Sequence, residues 1–171
     1  MTTSMSLPPS GAPLGWVCSR DFAAHVRHMS SASGIPWRVL AILAGVPSRT
    51  VVRLMGLGRP MRRIRAVDAE RLLMLTPLAI SAAEHQLVDP TSTLRRVHIL
   101  LENRHTLTEV STYLDVSAQD LAQLLTARDP RCTAMMRVRA RAACEAHHLL
   151  WADQPDEVIA EDRVLVPECA A

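Results

Sequence analysis

The chain has 171 residues, 49% of them hydrophobic and only 3% aromatic, and its 19 basic residues, all arginine, leave a formal net charge of +2. That length holds one domain or two small ones, and a core of Leu, Val, Ala, Met and Ile favours helices over stacked strands, which draw on aromatic and β-branched side chains. The charge is unevenly placed. Residues 1–19 carry none, 20–76 carry ten Arg against three acids (+7), 77–152 carry eight against eight, and 153–171 carry one against six (−5); this points the second segment at a polyanion.

Residues 1–19, rich in Pro, Ser and Gly, predict a disordered leader, with Trp16 and Val17 docking on the first domain. From Ser19, the spacing of Phe22, Val26 and Met29 predicts a helix to about Ser31. Ile35 to Met55 then reads as two short helices, 36–44 and 48–55, joined by a tight turn. Pro36 can open the first, because its missing N–H is no loss there. Val39, Leu40, Leu43 and Ala44 recur at helical spacing. Gly45-Val46-Pro47 ends it, with glycine supplying the left-handed conformation of a sharp turn. Ser48 is placed to cap the second helix. In that helix Val51, Leu54 and Met55 face inward, while Arg49, Thr50, Val52 and Arg53 face outward.

This pattern resembles the helix-turn-helix of bacterial and phage repressors. The family places a small residue four before the turn glycine (here Ala41), an apolar residue after that glycine (Val46), and apolar residues where Val51 and Leu54 stand. The resemblance implies that the second helix lies in the major groove of double-stranded DNA with its first residues at the base edges. Those are Ser48, Arg49, Thr50 and Arg53. Residues 56–65 hold two glycines, a proline and four arginines and are expected to form a loop. Arg59, Arg62, Arg63 and Arg65 would hold phosphates there, giving a log–log salt slope of about −4. A helix over 66–75, with Val67, Leu72 and Leu75 inward, stops at Thr76-Pro77. The basic loop and the LLMLTP ending are similar to those of small helix-turn-helix proteins of actinobacteria and their phages, over roughly 20–152.

Residues 78–91 read as a connector, helical in part up to Leu87, with a turn at Val88-Asp89-Pro90. A helix over 93–103 turns Leu94, Val97, Leu100 and Leu101 inward. Leu107 to Leu125 then repeats the opening theme. Shifted by 70 residues and without a gap, Leu40 falls on Val110, Ala44 on Leu114, Val46 on Val116, Val51 on Leu121 and Leu54 on Leu124. An internal duplication is expected. Asp115 replaces the turn glycine, and Ser117, able to cap, replaces Pro47. The second outward face offers Gln119, Gln123, Arg128 and Arg131. Glutamine can read adenine by two hydrogen bonds, but Asp120 repels phosphate. A second DNA contact there and a packing or dimerisation role stand equal. A long helix over 133–151 spreads Arg137, Arg139 and Arg141 around its surface, and the acidic tail is placed to mask the basic face.

The expectation is an all-α chain. A disordered leader (1–19) precedes a basic helix-turn-helix domain (20–77), a connector (78–91), a second helix-turn-helix-like domain (92–152) and an acidic tail (153–171). Four scattered cysteines without a CxxC pair give no disulfide framework or zinc site. No apolar run nears the ~18 residues of a membrane span, and no secretory signal leads the chain. The protein is expected in the cytoplasm, with no metal, cofactor or small-molecule ligand. Nothing announces a catalytic pocket: no phosphate-cradling glycine loop, no paired carboxylates, no nucleophile with a matched base. These features point to a non-enzymatic, sequence-specific regulator of transcription, of the repressor kind. Whether it acts as a homodimer is open. The alternative is a protein-interaction module: an antitoxin, an anti-repressor or a partner of RNA polymerase.

Overall fold

The computed structural model describes residues 15–149, which form nine helices and four short strands. Strand β1 (Trp16–Cys18) leads into α1 (Arg20–Ser33), whose Ala23, Val26 and Met29 are buried along one face. Gly34 ends α1 in the left-handed conformation, at φ 69°. Helices α2 (Trp37–Leu43) and α3 (Ser48–Leu54) come next. Gly45, at φ 66°, reverses the chain between them. The Val46 N–H closes the turn on the Ala41 carbonyl at 2.9 Å. Strand β2 (Arg63–Arg65) returns antiparallel to β1, with Val17 opposite Ile64. Helix α4 (Ala66–Leu73) then closes a core of Val26, Ala41, Val51, Leu54, Ile64 and Leu72.

Two expectations are corrected here. Trp16–Cys18 is a strand and not the end of a disordered leader, and Arg63–Arg65 is its partner and not loop. Neither segment has a local signal long enough to announce a strand. Each is held by pairing with a segment 47 residues away, which burial of Ile64 drives. Residues 1–14, which include most of the expected leader, lie outside the described residues.

The 78–91 connector is helical in part, within the expected limit of Leu87. Pro77 opens helix α5 (Pro77–His85). Its fixed φ suits a first turn, and the Thr76 hydroxyl caps the helix by accepting from Ala79 N–H at 3.2 Å. Strand β3 (Leu87–Val88), α6 (Thr91–Glu102), α7 (Leu107–Leu114), α8 (Ala118–Thr126), β4 (Cys132–Thr133) and α9 (Ala134–Ala146) complete the described residues. Strand β3 pairs antiparallel with β4. From β1 to α4, every element has a counterpart about 70 residues on, in the same order. The left-handed residues match as well: Gly34 and Gly45 in the first set, Arg104 and Asp115 in the second. Val116 N–H bonds to the Ser111 carbonyl at 3.1 Å, as Val46 does to Ala41. Asp115 replaces a glycine at φ 56°, a region aspartate tolerates better than most residues. Half-buried Arg139 of α9 donates to the Leu114 carbonyl and pairs with the Asp115 carboxylate at 2.5 Å, fixing that turn.

Helix α7 starts with a capping box. The Thr106 hydroxyl accepts from Glu109 N–H at 3.2 Å, and the Glu109 carboxylate accepts from Thr106 N–H at 2.7 Å. Those bonds to Thr106 hold the Glu109 carboxyl below the usual glutamate range. A depressed folded pKa stabilises above the unfolded value of about 4.3, and that stabilisation is lost as pH falls through the folded value. Thr106→Ala is expected to cost about 1 kcal/mol at neutral pH. The difference from the parent should shrink on acidification below about pH 4; unfolding curves at both pH values check this.

The two halves are not separate bodies. A third core, distinct from the one inside each half, joins them. Met29, Leu40 and Ile42 meet Ile80 of α5 and Met135 and Val138 of α9. The other side of α9 buries Ala140, Ala143 and Cys144 against α6 and α7. Its alanines let neighbouring backbones approach from both sides. No helix among the described residues is long and apolar enough to cross a membrane.

Candidate nucleic-acid interface

The outer face of α3 is set by its inner one. Val51 and Leu54 are buried, so the helical period turns Arg49 and Arg53 outward, and both are exposed. Thr50 lies between them and is half-buried. The helix is pinned at both ends by arginines from other elements. Arg71 of α4 donates to the Gly45 carbonyl at 3.0 Å, in the turn before α3. Arg27 of α1 donates to the Met55 carbonyl at 3.3 Å, just after it. Cations at helix C-terminal carbonyls are favourable on charge grounds as well.

The segment after α3 is held to it. Arg53 Nε donates to the Arg59 carbonyl at 3.4 Å. From the other side, the Ser19 hydroxyl donates to the Met61 carbonyl at 2.5 Å and Ser19 N–H to the Arg62 carbonyl at 3.1 Å. These bonds leave the side chains of Arg59 and Arg62 exposed beside α3. Arg63 is exposed too, with one guanidinium nitrogen on the Trp16 carbonyl at 3.3 Å.

Two residues expected in this site are engaged elsewhere. Arg65 forks onto Asp68, at 2.8 and 3.1 Å, and Asp68 is buried. That hydrogen-bonded carboxylate holds the Arg65 guanidinium still more firmly in its charged form, while the Arg65 side chain stays exposed. Arg65 therefore holds the start of α4 through Asp68, with its charge already paired by that carboxylate. Ser48 does not cap α3. The cap position is Pro47, and the Ser48 hydroxyl donates to the Glu145 carboxylate of α9 at 2.6 Å. The reason is tertiary: α9 delivers Glu145 to this spot from 97 residues away. The second oxygen of Glu145 accepts from Arg141 at 3.2 Å.

On α8 the second set of candidates is laid out as its spacing implies. Leu121 and Leu124 are buried, and Gln119 and Gln123 are exposed. Ser117 caps this helix, accepting from Asp120 N–H at 3.0 Å, and its hydroxyl donates back to the Asp120 carboxylate at 2.7 Å. The Asp120 charge is thereby drawn onto the cap. Arg128 and Arg131 are exposed in the stretch that leads to β4, with Asp129 between them.

Among the described residues, no group of three or more His, Cys, Asp or Glu is placed to hold a metal ion. Cys132 and Cys144 are buried thiols whose pKa burial raises, that of Cys144 to about 11; such thiols are poor nucleophiles and poor ligands. The residues that sequence reasoning missed are Arg27, Arg71 and Glu145. Each acts on α3 from another element, and no spacing within 35–55 could have found them. No protein-family model, curated protein or solved structure matches the chain.

Proposed function

We propose that the protein is a sequence-specific DNA-binding regulator of transcription, of the repressor kind, built from two helix-turn-helix units in tandem. One observation carries this reading. The segment that holds the whole excess of positive charge exposes Arg49 and Arg53 on the outer face of α3, beside exposed Arg59 and Arg62. In this reading α3 enters the major groove of double-stranded DNA. Arg49 and Arg53 read bases, with Thr50 beside them, while Arg59, Arg62 and Arg63 hold phosphates, fixing register without reading sequence. A chain with two such units can meet an asymmetric site as a monomer or a longer one as a homodimer; light scattering with footprint length separates these.

With Arg65 directed onto Asp68, three phosphate arginines remain. The log–log salt slope is then expected at about −3 rather than −4, read from affinities between about 0.05 and 0.2 M salt. Arg53→Ala is expected to lose about 1–3 kcal/mol of preference for the selected site over other duplexes. Arg62→Ala should weaken all duplexes about equally. Gel shifts with both variants test the assignment; an equal loss on every duplex for Arg53→Ala contradicts it. These tests need the full chain. A fragment of residues 20–76 lacks β1 and bares Leu40 and Ile42, which α9 covers.

The protein-interaction reading keeps one observation of its own. Leu73, Met74 and Leu78, around the α4–α5 junction, are 56%, 57% and 78% exposed. Three large apolar side chains so close in sequence are the kind of surface a protein partner covers. If the full chain retains no duplex at low salt, this reading replaces the first.

A further inference from the structure

We propose that residues 153–171 of the same chain dock on the arginine face of α3, occupying the surface that DNA would take. The inference rests on the reading of that face as a polyanion site. Three observations carry it. The first is where α9 ends. Glu145, one residue before the last of α9, is hydrogen-bonded to Ser48, the first residue of α3. The chain then closes the helix end, with Leu149 N–H on the Cys144 carbonyl at 2.9 Å. Leu149 packs on the second core, four residues past the one that touches the first residue of α3, and the segment after it starts from there.

The second is charge. Residues 153–171 hold six acids, Asp153, Asp156, Glu157, Glu161, Asp162 and Glu168, against one arginine. The face holds Arg49, Arg53, Arg59 and Arg62, all exposed. Glu145 already places one carboxylate at its edge, and the acidic segment continues the same sign. The third is reach. Glu157 is eight residues past Leu149, so the chain between them spans up to about 25 Å. Helix α3, of seven residues, is only about 10 Å long. A tether this short keeps the acids at an effective concentration on the order of millimolar. Individually weak surface pairs then add up, and salt screens them. Phosphates on DNA would compete for the same guanidinium groups, so docking would discriminate against weak, nonspecific duplexes first.

The test compares the full chain with a full-length variant carrying Asp153→Asn, Asp156→Asn, Glu157→Gln, Glu161→Gln, Asp162→Asn and Glu168→Gln. The side-chain Nε–H resonances of Arg49, Arg53, Arg59 and Arg62 are recorded by NMR without DNA. Docking predicts that Arg49 and Arg53 differ between the two proteins at about 0.05 M salt, that the difference fades near 0.5 M, and that it does not depend on protein concentration. Identical resonances overturn the proposal. A difference that grows with concentration also overturns it, because the segment then sits on a second copy. In the same pair, nonspecific DNA is expected to bind the neutralised variant about tenfold or more tightly at 0.1 M salt; equal affinities overturn the shared surface. If the resonances differ and neither protein binds DNA, docking stands and the DNA reading falls.

Discussion

Leu40→Ala is expected to destabilise the protein by about 2–5 kcal/mol and to bring both halves down together. Leu40 is fully buried in the core that joins α2 to α5 and α9. Truncation removes apolar contacts and leaves a space that close-packed neighbours fill only in part. Alanine's better helix propensity returns only a few tenths of that. The cooperative part of the expectation comes from α9. That one helix covers Leu40 with Met135 and Val138 and closes the second core with Ala140, Ala143 and Cys144. Loosening one side of α9 loosens the other. In a Trp151→Phe background, fluorescence reports on Trp16 and Trp37 of the first half, and far-UV circular dichroism reports on both halves. The two probes should give one coincident urea transition, shifted down in the variant. A variant that loses only the fluorescence transition while half of the helix signal persists would show two independent halves.

Arg65→Ala is expected to cost about 2 kcal/mol of stability. The loss would come from the carboxylate left behind. Asp68 is buried, and Arg65 supplies it with two short hydrogen bonds. Removing one partner of a fully buried pair costs about 3–5 kcal/mol. The Arg65 side chain is 55% exposed, and solvent screening brings the expected value down. Adding Asp68→Ala to Arg65→Ala should recover part of the loss, because the orphaned charge goes with it. Arg62→Ala, three residues earlier and exposed, should stay within about 0.5 kcal/mol of the parent. Unfolding midpoints of the four proteins check this. If Arg65→Ala and Arg62→Ala are equally stable and equally weakened on DNA, Arg65 is a phosphate contact after all.

Much of the fold is legible in sequence because the signals are local. The apolar spacing of Val39, Leu40, Val51 and Leu54 is a helical period, and Gly45 marks a left-handed turn that the chain indeed makes. The 70-residue shift places Asp115 on Gly45, and both have positive φ. The long-range features are not legible. The two ribbons are pairs of two- and three-residue strands, too short for any alternation to register. Ser48 has the composition of a cap, but Glu145 claims its hydroxyl from 97 residues away. Two features lie within reach of local rules. Arg65 and Asp68 stand at i and i+3, a spacing that favours ion pairs, and Pro77 after Thr76 is as much a helix start as a stop. In both cases a competing local pattern, basic loop or helix terminator, points the other way.

The most direct test of α3 as the reading element is selection of duplexes from a random pool by the full chain, at about 0.1 M salt. It is repeated with an Arg49→Ala, Arg53→Ala double variant and with Arg62→Ala. An enriched motif containing guanines is expected, since arginine pairs with guanine at two points. The guanine preference should disappear in the double variant, while Arg62→Ala keeps the motif at lower affinity. A pool from which nothing is enriched, or a motif that survives unchanged in the Arg49→Ala, Arg53→Ala variant, would contradict α3 as the element that reads DNA.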